Sequence, residues 1–591
     1  MVEPPDQPLL DEQLFQTLLD ELALADCGDA MALTGFSPAI GTGTGGLLSP
    51  QAMPSDPVRA VIMGVIDHAI PFAHRAFSTA SGHSRVAAIW MQGAAPDRPA
   101  SAGGDLPFGR ELRGVGLDLL RRRPDGGLLS EEQTYRQTGA LGLRRDGREG
   151  RRLGPGLAAR ISHGAAVAGL AAGLSPDDPD SRNLPIIAVS LPDHLVADTS
   201  GAFAPYFVQA AIIFIVNRAR RLAARLQAAG RVGPVPVVIN LSYGVTAGPR
   251  DGSLGLVQLQ DLIALNTRDH LHPVHFVLPS GNHRLERLHG QIAKGQSVQW
   301  QIPPDDPTPN VVEIWGPRQA QPGDQPGIEL SLTLPGGQVA ATDFCDQRDG
   351  ISKLMAGGVE IARAYRQFRQ IRRRQSGERY WRQCLTLIAA PTLPVDSRAL
   401  HGAPSGFWQL TLTDGPATVM DIDVQRDDRL STFPGTRRQS RLYDQAYQGQ
   451  GPSGHPLDDD PADPRSVLRR RGTANAYGSG DTQLRVGGAI GGNGVTVATA
   501  GASGSEVARY SGLLLSGSPG DLLAQSDRSR LVSGVMAHGC LSGSRADMSG
   551  TSVAAPQVAR WLALALLEGA DLPDRASVIA HAADGRQPPS P

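Results

Sequence analysis

Short, nearly continuous apolar runs alternate with stretches of helical periodicity from residue 58 onward. Apolar runs of this kind are typical of strands that are covered on both faces of a parallel sheet. The pattern therefore predicts an α/β fold with a mostly parallel sheet and helices on both of its faces. The predicted strands are 60–66, 86–90, 185–189, 235–241 and 275–278, and the predicted helices are 164–173 and 204–229.

Between residues 296 and 424 the pattern changes to β-rich runs separated by Pro and Gly turns. The predicted strands there are 297–302, 311–315, 328–334, 379–388, 407–413 and 418–424. Near 359–374 the spacing of Ile361, Tyr365, Phe368 and Ile371 predicts an amphipathic helix instead. We expect this region to be an inserted antiparallel domain that resembles a β-sandwich. The α/β pattern resumes at 483–489 and ends in a predicted helix at 551–568.

These changes of pattern divide the chain into six predicted parts. They are an N-terminal extension at 1–57, a first core part at 58–295 with an insertion at about 92–155, the inserted β-rich domain at 296–424, an exposed polar linker or long loop at 425–471, a second core part at 472–570 and a C-terminal tail at 571–591. The extension contains one predicted helix at 11–25, and we interpret it as a segment packed beside the core, with a short propeptide as the alternative. Its GTGTGG tract at 41–46 lacks the Lys and the preceding strand of a nucleotide loop.

Composition narrows the classes of function. The 591 residues are 40% hydrophobic and 19% charged with a net charge of −2, which argues against wholesale disorder and against a generally basic nucleic-acid binder. The longest apolar stretch, 207–216, falls short of the roughly 20 residues that cross a bilayer. The four cysteines form no CxxC pair, so neither a zinc site nor a disulfide framework is indicated. With no secretory signal visible, we expect a cytoplasmic protein without a membrane partner.

One basic run, on the predicted helix and the strand that follows, could carry a nucleic-acid or acidic-protein surface. It combines Arg363, Arg366, Arg369, Arg372, Arg373, Arg374, Arg379 and Arg382 with Tyr365, Phe368, Tyr380 and Trp381. We prefer the simpler interpretation, in which the aromatic residues pack inward and the Arg side chains are solvated. Nucleic acid is therefore not an expected partner.

Three short motifs place reactive side chains at the ends of predicted core elements. VIMGVID at 61–67 ends a buried strand in Asp67, where open α/β sheets bind ligands. His163 opens a helix made almost wholly of Ala, Gly and Val, and Ser552 begins a second helix of small residues. Backbone N–H groups and the helix dipole at that second terminus favour an oxyanion. Taken singly, Asp67 and Ser552 could be capping residues and His163 an ordinary loop histidine.

Taken together, the motifs VIMGVID, SHGAAVAGLAAG and DMSGTSVAAPQVA, in the order Asp, His, Ser, resemble those of the subtilisin-like serine proteases. VLPSGN at 277–282 is similar to the strand of that family that ends in the oxyanion Asn, and VVINLSYG at 237–244 to the strand that binds substrate backbone. The matched segments are short, but they lie within a core that we extend over 58–290 and 470–570.

The resemblance implies a serine endopeptidase acting on protein or peptide substrates. Ser552 would be the nucleophile, His163 the general base and Asp67 the group that fixes the imidazole, while Asn282 would bind the oxyanion. The implied substrate-binding residues are Ser242, Tyr243, Gly244, Ser280 and Gly281. No cofactor or catalytic metal is expected; structural calcium is common in the family, but no ligand loop can be identified here.

The chain departs from the family pattern beside two of these residues. His68 and Ala69 follow Asp67 where the family has Ser or Thr and Gly, and Ala165 and Ala166 replace the usual Thr-His after His163-Gly164. These changes affect the surroundings of the catalytic groups rather than their identity. His68 itself is not taken as the base, because its neighbours match the Asp strand.

Two classes of function therefore stay open: an active endopeptidase and a protein-binding scaffold that has the fold without turnover. An α/β-hydrolase is disfavoured, because it would need Gly-x-Ser-x-Gly and the order Ser, Asp, His. Val245 stands where many members of the family have a second Gly, which suggests a preference for small or medium apolar side chains at the primary substrate position.

Overall fold

The computed structural model describes most of the chain between residues 47 and 585. The gaps within that range are 95–105, 107, 123–126, 142–156, 158, 198, 200–203, 346–348, 373–376, 394–401, 429–436, 451–459, 461–462, 464, 479–481, 493 and 499–506. The predicted helix at 11–25 and the GTGTGG tract lie outside the described residues.

A nine-stranded, mostly parallel sheet forms the centre of the fold. Its strands are β1 (Ile62–His68), β2 (Val86–Met91), β3 (Arg110–Arg113), β4 (Ile186–Leu191), β5 (Val235–Leu241), β6 (Leu271–Pro279), β18 (Gln483–Ile490), β19 (Thr496–Val497) and β20 (Leu522–Asp527). The spatial order is β19-β20-β18-β6-β5-β1-β4-β2-β3, and only the terminal pairs β2–β3 and β19–β20 are antiparallel. All five strands predicted for the first core part are present.

Helices cover both faces of this sheet, as predicted. They are α1 (Gly114–Arg121), α2 (Glu131–Thr138), α3 (His163–Ala172), α4 (Asp193–Ala197), α5 (Ala204–Ala228), α6 (Gly255–Asn266), α7 (Thr551–Leu567) and α8 (Arg575–Ala583). One apolar cluster joins α3, α7 and α8 to one face, and a second joins α5 and α6 to the other. Val238 belongs to the first cluster and its neighbour Ile239 to the second, because successive side chains of a strand point to opposite faces of the sheet. No described helix is both long and apolar enough to cross a membrane.

Two antiparallel sheets form the inserted region, which confirms that part of the predicted fold class. The five-stranded sheet has the order β11 (Val339–Ala341), β10 (Glu329–Thr333), β15 (Gly406–Asp414), β8 (Ser297–Ile302) and β17 (Arg441–Tyr443). The six-stranded sheet has the order β12 (Gly350–Ala356), β13 (Val359–Arg372), β14 (Arg379–Ala389), β9 (Asn310–Gln319), β16 (Met420–Val424) and β7 (His289–Ile292). A short hairpin, β21 (Val535–His538) and β22 (Arg545–Met548), precedes α7. One apolar cluster joins the inner faces of the five-stranded and six-stranded sheets.

The helix predicted near 359–374 is wrong: Val359–Arg372 is the long strand β13, paired on both sides by β12 and β14. The alternation of buried and exposed positions in this strand was missed because one buried position is an arginine. Arg366 is only 5% exposed, and its guanidinium lies 4.2 Å from the centre of the Phe344 ring. Arg366 also forms an ion pair with Glu329. The predicted solvation of the arginines is therefore wrong for this residue and for Arg382, which is 7% exposed.

The inserted sheets also extend beyond the predicted 296–424. Strand β7 lies before that range, and β17 lies in the segment 425–471 that was expected to be an exposed linker. That expectation is wrong for its apolar positions, because Leu442, Val467 and Leu468 are buried in the core of the insert. A few buried apolar residues therefore hold this otherwise polar segment against the insert.

Candidate active site

Asp67 lies at the carboxyl end of β1, near the centre of the parallel sheet. Its side chain is almost fully buried, and its two oxygens accept hydrogen bonds from neighbouring groups on both sides of the strand end. The His163 Nδ1 atom lies 2.9 Å from both Oδ1 and Oδ2, and the His68 N–H donates to Oδ1 at 2.8 Å. The buried carboxylate is thus held by the His163 ring and by the His68 N–H.

His163 is the first residue of α3, and this helix approaches the end of β1 closely. Ser162 caps the helix by accepting from the Ala165 N–H, and a Cβ atom at Gly164 would lie 1.9 Å from the His68 carbonyl oxygen. Glycine is therefore required at position 164 for this approach. The close packing brings the imidazole onto the carboxylate from a motif 96 residues away in sequence.

Two histidines contact Asp67, but they differ in access. The His68 Nδ1 atom lies 3.2 Å from Asp67 Oδ1 with its side chain 6% exposed, whereas the His163 side chain is 29% exposed. Their rings stack with centroids 6.0 Å apart. His163 is therefore the more accessible of the two histidines, and the contact of His68 with the same carboxylate was not anticipated from the sequence.

The pair has shifted pKa values that follow from its burial and charge. Burial alone raises the pKa of the Asp67 carboxyl, but the His163 and His68 imidazoles hold it well below its usual range. Burial likewise lowers the pKa of His163, yet the Asp67 carboxylate outweighs burial and raises it above the usual 6.5. The Arg426 guanidinium acts in the opposite direction on His163.

Ser552 is the second residue of α7, which packs beside α3 on the same face of the sheet. The preceding Gly550 has φ +128°, a conformation that favours glycine and lets the chain turn sharply into the helix. Among the residues that the structure describes, neither the Ser552 N–H nor its hydroxyl has a hydrogen-bond partner. This helix terminus thus presents an unused donor beside a hydroxyl.

The Asn282 carboxamide lies against the same turn. Its Oδ1 accepts from both the Thr551 N–H and the Thr551 hydroxyl, each at 2.9 Å. Because a backbone N–H can only donate, this contact fixes the oxygen toward Thr551 and leaves the Nδ2 donors on the other side. A Cβ atom built on Gly550 would lie 3.1 Å from Asn282 Nδ2 and 3.4 Å from Ser552 Oγ. The amide donor and the hydroxyl therefore flank one small surface.

The structure thus brings Asp67 to His163, and Asn282 to Ser552. Between these two pairs, no hydrogen bond joins the Ser552 hydroxyl to the His163 ring within the described part of the chain. Catalytic hydrogen bonds are often long or poorly aligned before substrate binds, so geometry of this kind does not exclude a working pair.

The segments predicted to bind substrate follow the ends of β5 and β6 and contact the beginning of α7. The Ser242 hydroxyl donates to the Ser552 carbonyl at 3.0 Å, while the Gly281 N–H donates to Thr551 Oγ1 at 3.1 Å. Tyr243 and Gly244 are half-buried, whereas Ser280 is buried and its carbonyl accepts from the Asn475 N–H. All five predicted residues therefore lie along two neighbouring strand ends.

Three further groups support the turn before Ser552, and no sequence motif indicated them. The Ser549 hydroxyl donates to Asp527 Oδ1 at 2.6 Å, and the Tyr510 hydroxyl donates to Asp527 Oδ2 at 2.5 Å. The Gly534 N–H donates to the same carboxylate at 2.7 Å. Asp527 ends β20, so this network connects the turn before Ser552 to the central sheet.

An ionic lock, formed by Arg250, Asp423 and His289, joins the insert to the chain that follows the substrate segment of β5. Arg250 forms an ion pair with the fully buried Asp423, whose other oxygen lies 2.7 Å from His289 Nδ1. Beside it, the Thr246 hydroxyl donates to the Val424 carbonyl at 3.1 Å. The end of β16 therefore braces the loop directly behind the candidate cleft.

One cluster of described side chains has the chemistry of a metal site. The ligand atoms of Asp67, His68 and His163 lie within 4.8 Å of one another, and one carboxylate with two imidazoles is a donor set that zinc accepts. In this geometry both rings already contact the carboxylate, as in an orienting ion pair. The prediction of a metal-free reaction stays a prediction.

Comparisons with known proteins give little to set beside this geometry. No protein-family model matches the chain. No curated protein matches it in sequence. A solved structure of the Clostridium perfringens CspB protease matches with a TM-score of 0.48 and 14% identity, covering 86% of this chain and 83% of that one. Neither value is high enough to assign a family or an activity.

Proposed function

We propose that this protein is a subtilisin-like serine endopeptidase that hydrolyses peptide bonds through Asp67, His163 and Ser552. The observation that carries the proposal is the partly exposed His163 ring, oriented by a buried carboxylate, on a helix packed beside the one that begins at Ser552. A serine hydroxyl is too weakly acidic to attack an amide unaided and requires such a base.

In the proposed reaction, the His163 Nδ1–H donates to Asp67, so the Nε2 atom is free to take the Ser552 proton as Oγ attacks the carbonyl carbon. The Asp67 charge stabilises the imidazolium, which then protonates the leaving amine. The Ser552 N–H and the Asn282 Nδ2 group, neither of which has an acceptor among the described residues, would donate to the oxyanion. A water molecule then repeats the attack and releases the acyl group.

Labelling with a fluorophosphonate probe tests this proposal. The intact protein should be labelled covalently, and Ser552→Ala should remove the label. The exposed Ser297 lies in the insert, and within the described structure its hydroxyl hydrogen-bonds only to the Thr411 hydroxyl. Ser297→Ala is therefore a matched control that should keep the label. A folded wild-type protein that takes up no label would contradict the proposal.

That negative result would favour a second candidate, a protein-binding scaffold without turnover. The observation on its side is that no hydrogen bond joins Ser552 to His163 in the described structure. The position of the insert, braced against the loop behind the cleft, fits a partner surface as well as it fits substrate selection.

Replacing Asn282 should lower kcat by about 10²–10³ with little change in KM, because its amide donates only to the developing oxyanion. Asn282→Asp is the sharper variant, since it retains an oxygen for the Thr551 N–H while removing the donor. Steady-state kinetics on a peptide substrate measure the effect. An unchanged kcat in both Asn282→Asp and Asn282→Ala would remove Asn282 from the oxyanion site.

A further inference from the structure

The two candidate substrate segments are separated by a side chain from a distant part of the sequence. A Cβ atom added to Gly244 would lie 2.1 Å from Asn475 Nδ2, and one added to Gly281 would lie 2.7 Å from Asn475 Oδ1. The Asn475 carboxamide therefore stands in the gap between the ends of β5 and β6, in contact with both. Only glycine at positions 244 and 281 leaves room for it.

Asn475 is fixed in this gap by its own backbone and side chain. Its N–H donates to the Ser280 carbonyl at 2.8 Å, and its Nδ2 donates to the Pro279 carbonyl at 3.2 Å. The next residue, Ala476, donates its N–H to the Val245 carbonyl at 3.0 Å. The backbone at 475–476 is thus bonded to both segments, and the bond from Nδ2 to Pro279 holds the carboxamide in the gap.

The gap is beside the reactive groups. Gly281 precedes Asn282 and donates to Thr551, while Ser242 donates to the carbonyl of Ser552. A peptide whose carbonyl carbon meets Ser552 Oγ and whose oxygen faces Asn282 has its adjoining side chain directed at these two strand ends. The free depth available to that side chain is what Asn475 leaves.

We propose that Asn475 closes the floor of the primary substrate pocket and restricts cleavage to bonds that follow glycine, alanine or serine. This inference rests on the proposed protease function. Asn475 is only partly buried, and its Oδ1 has no donor among the described residues, so it offers a small polar floor that suits a serine hydroxyl.

Val245 does not supply this restriction. Its side chain is 6% exposed and belongs to the apolar cluster on the α5 and α6 face of the sheet. The preference for small or medium apolar side chains that its position suggested therefore has no direct support. In the proposed pocket it is Asn475, not Val245, that limits the size of the substrate side chain. The Tyr243 and Tyr477 rings, with centroids 6.4 Å apart, lie next to the same segment.

The test compares wild type with Asn475→Ala, Asn475→Asp and the control Asn266→Ala, which removes an exposed asparagine at the end of α6. Peptides that differ only in Ala, Ser, Leu or Phe before the scissile bond provide the kcat/KM values. Asn475→Ala should raise the Leu/Ala and Phe/Ala ratios by at least about tenfold, because a pocket discriminates by roughly 10–200-fold for each methylene that it rejects. Asn475→Asp keeps both the size and an acceptor oxygen, so it should leave these ratios near wild type and retain the preference for Ser, which Asn475→Ala should lose.

Two results overturn the inference while the protease function stands: a wild-type profile dominated by large side chains, or ratios that stay within twofold in an Asn475→Ala variant that melts at the wild-type temperature. If that variant does not fold, the wild-type profile alone decides. A wild-type protein that neither cleaves nor labels at Ser552 refutes the proposed function, and the inference with it.

Discussion

Replacing Ser552 with alanine should lower kcat by a factor on the order of 10⁶, since removing the nucleophile of a serine triad leaves only binding and oxyanion stabilisation. KM should change little, because the hydroxyl contributes to the transition state rather than to ground-state binding. Ser552 has no described hydrogen-bond partner through its side chain, so the variant should fold with wild-type thermal stability. Steady-state peptide hydrolysis and a melting curve measure the two quantities.

Double variants sharpen this result. If Ser552 and His163 act as one unit, Ser552→Ala combined with His163→Ala should be no slower than Ser552→Ala alone, because the effects of triad residues are not additive. Activity that survives Ser552→Ala within tenfold, after purification from an expression host that lacks contaminating proteases, would exclude Ser552 as the nucleophile.

Asp67→Asn should lower kcat by about 10⁴ while the fold is retained, because an amide can hold His163 in the wrong tautomer and cannot stabilise its charged form. The matched control is Asp118→Asn, which changes a second buried Asp–His pair whose Asp118 Oδ2 lies 2.9 Å from His83 Nδ1, away from the candidate site. A loss shared equally by both variants would indicate general destabilisation rather than catalysis.

The same variant should change the pH profile in a defined direction. In wild type the Asp67 carboxylate raises the pKa of His163 above 6.5, so the neutral base forms only at higher pH and kcat/KM should rise through an inflection above that value. In Asp67→Asn the stabilising charge is gone and burial lowers the pKa of His163, so the inflection of the residual activity should move to lower pH. A shift to higher pH would contradict the assignment of His163 as the base.

The sequence was sufficient for the elements whose hydrophobic pattern is local. The predicted strands 235–241 and 297–302 coincide with β5 and β8, and the helices at His163 and Thr551 begin within a residue of their predicted positions. It failed at β13, where buried Arg366 occupies a position that a pattern search counts as exposed. Arg366 can be buried there because its guanidinium stacks on the Phe344 ring and forms an ion pair with Glu329.

At the candidate site, the sequence could identify side chains that carry chemistry but not those that shape their surroundings. The contact of His163 with Asp67 follows the motif prediction. Asn475 lies 231 positions after Gly244 along the chain, and no periodicity connects the two. Its role depends on which loops meet at the ends of β5 and β6, and that is decided by the register of the whole sheet.

The ionic lock limits which single substitutions the insert can tolerate. Replacing Asp423 by an apolar residue would leave the Arg250 guanidinium, whose side chain is 6% exposed, buried without its counter-charge. Stranding one member of a buried ion pair typically costs 3–5 kcal/mol, on the order of a third of the stability of an ordinary domain. A tolerated change at Asp423 would therefore need Arg250 replaced in the same step by an apolar residue of similar length, such as methionine.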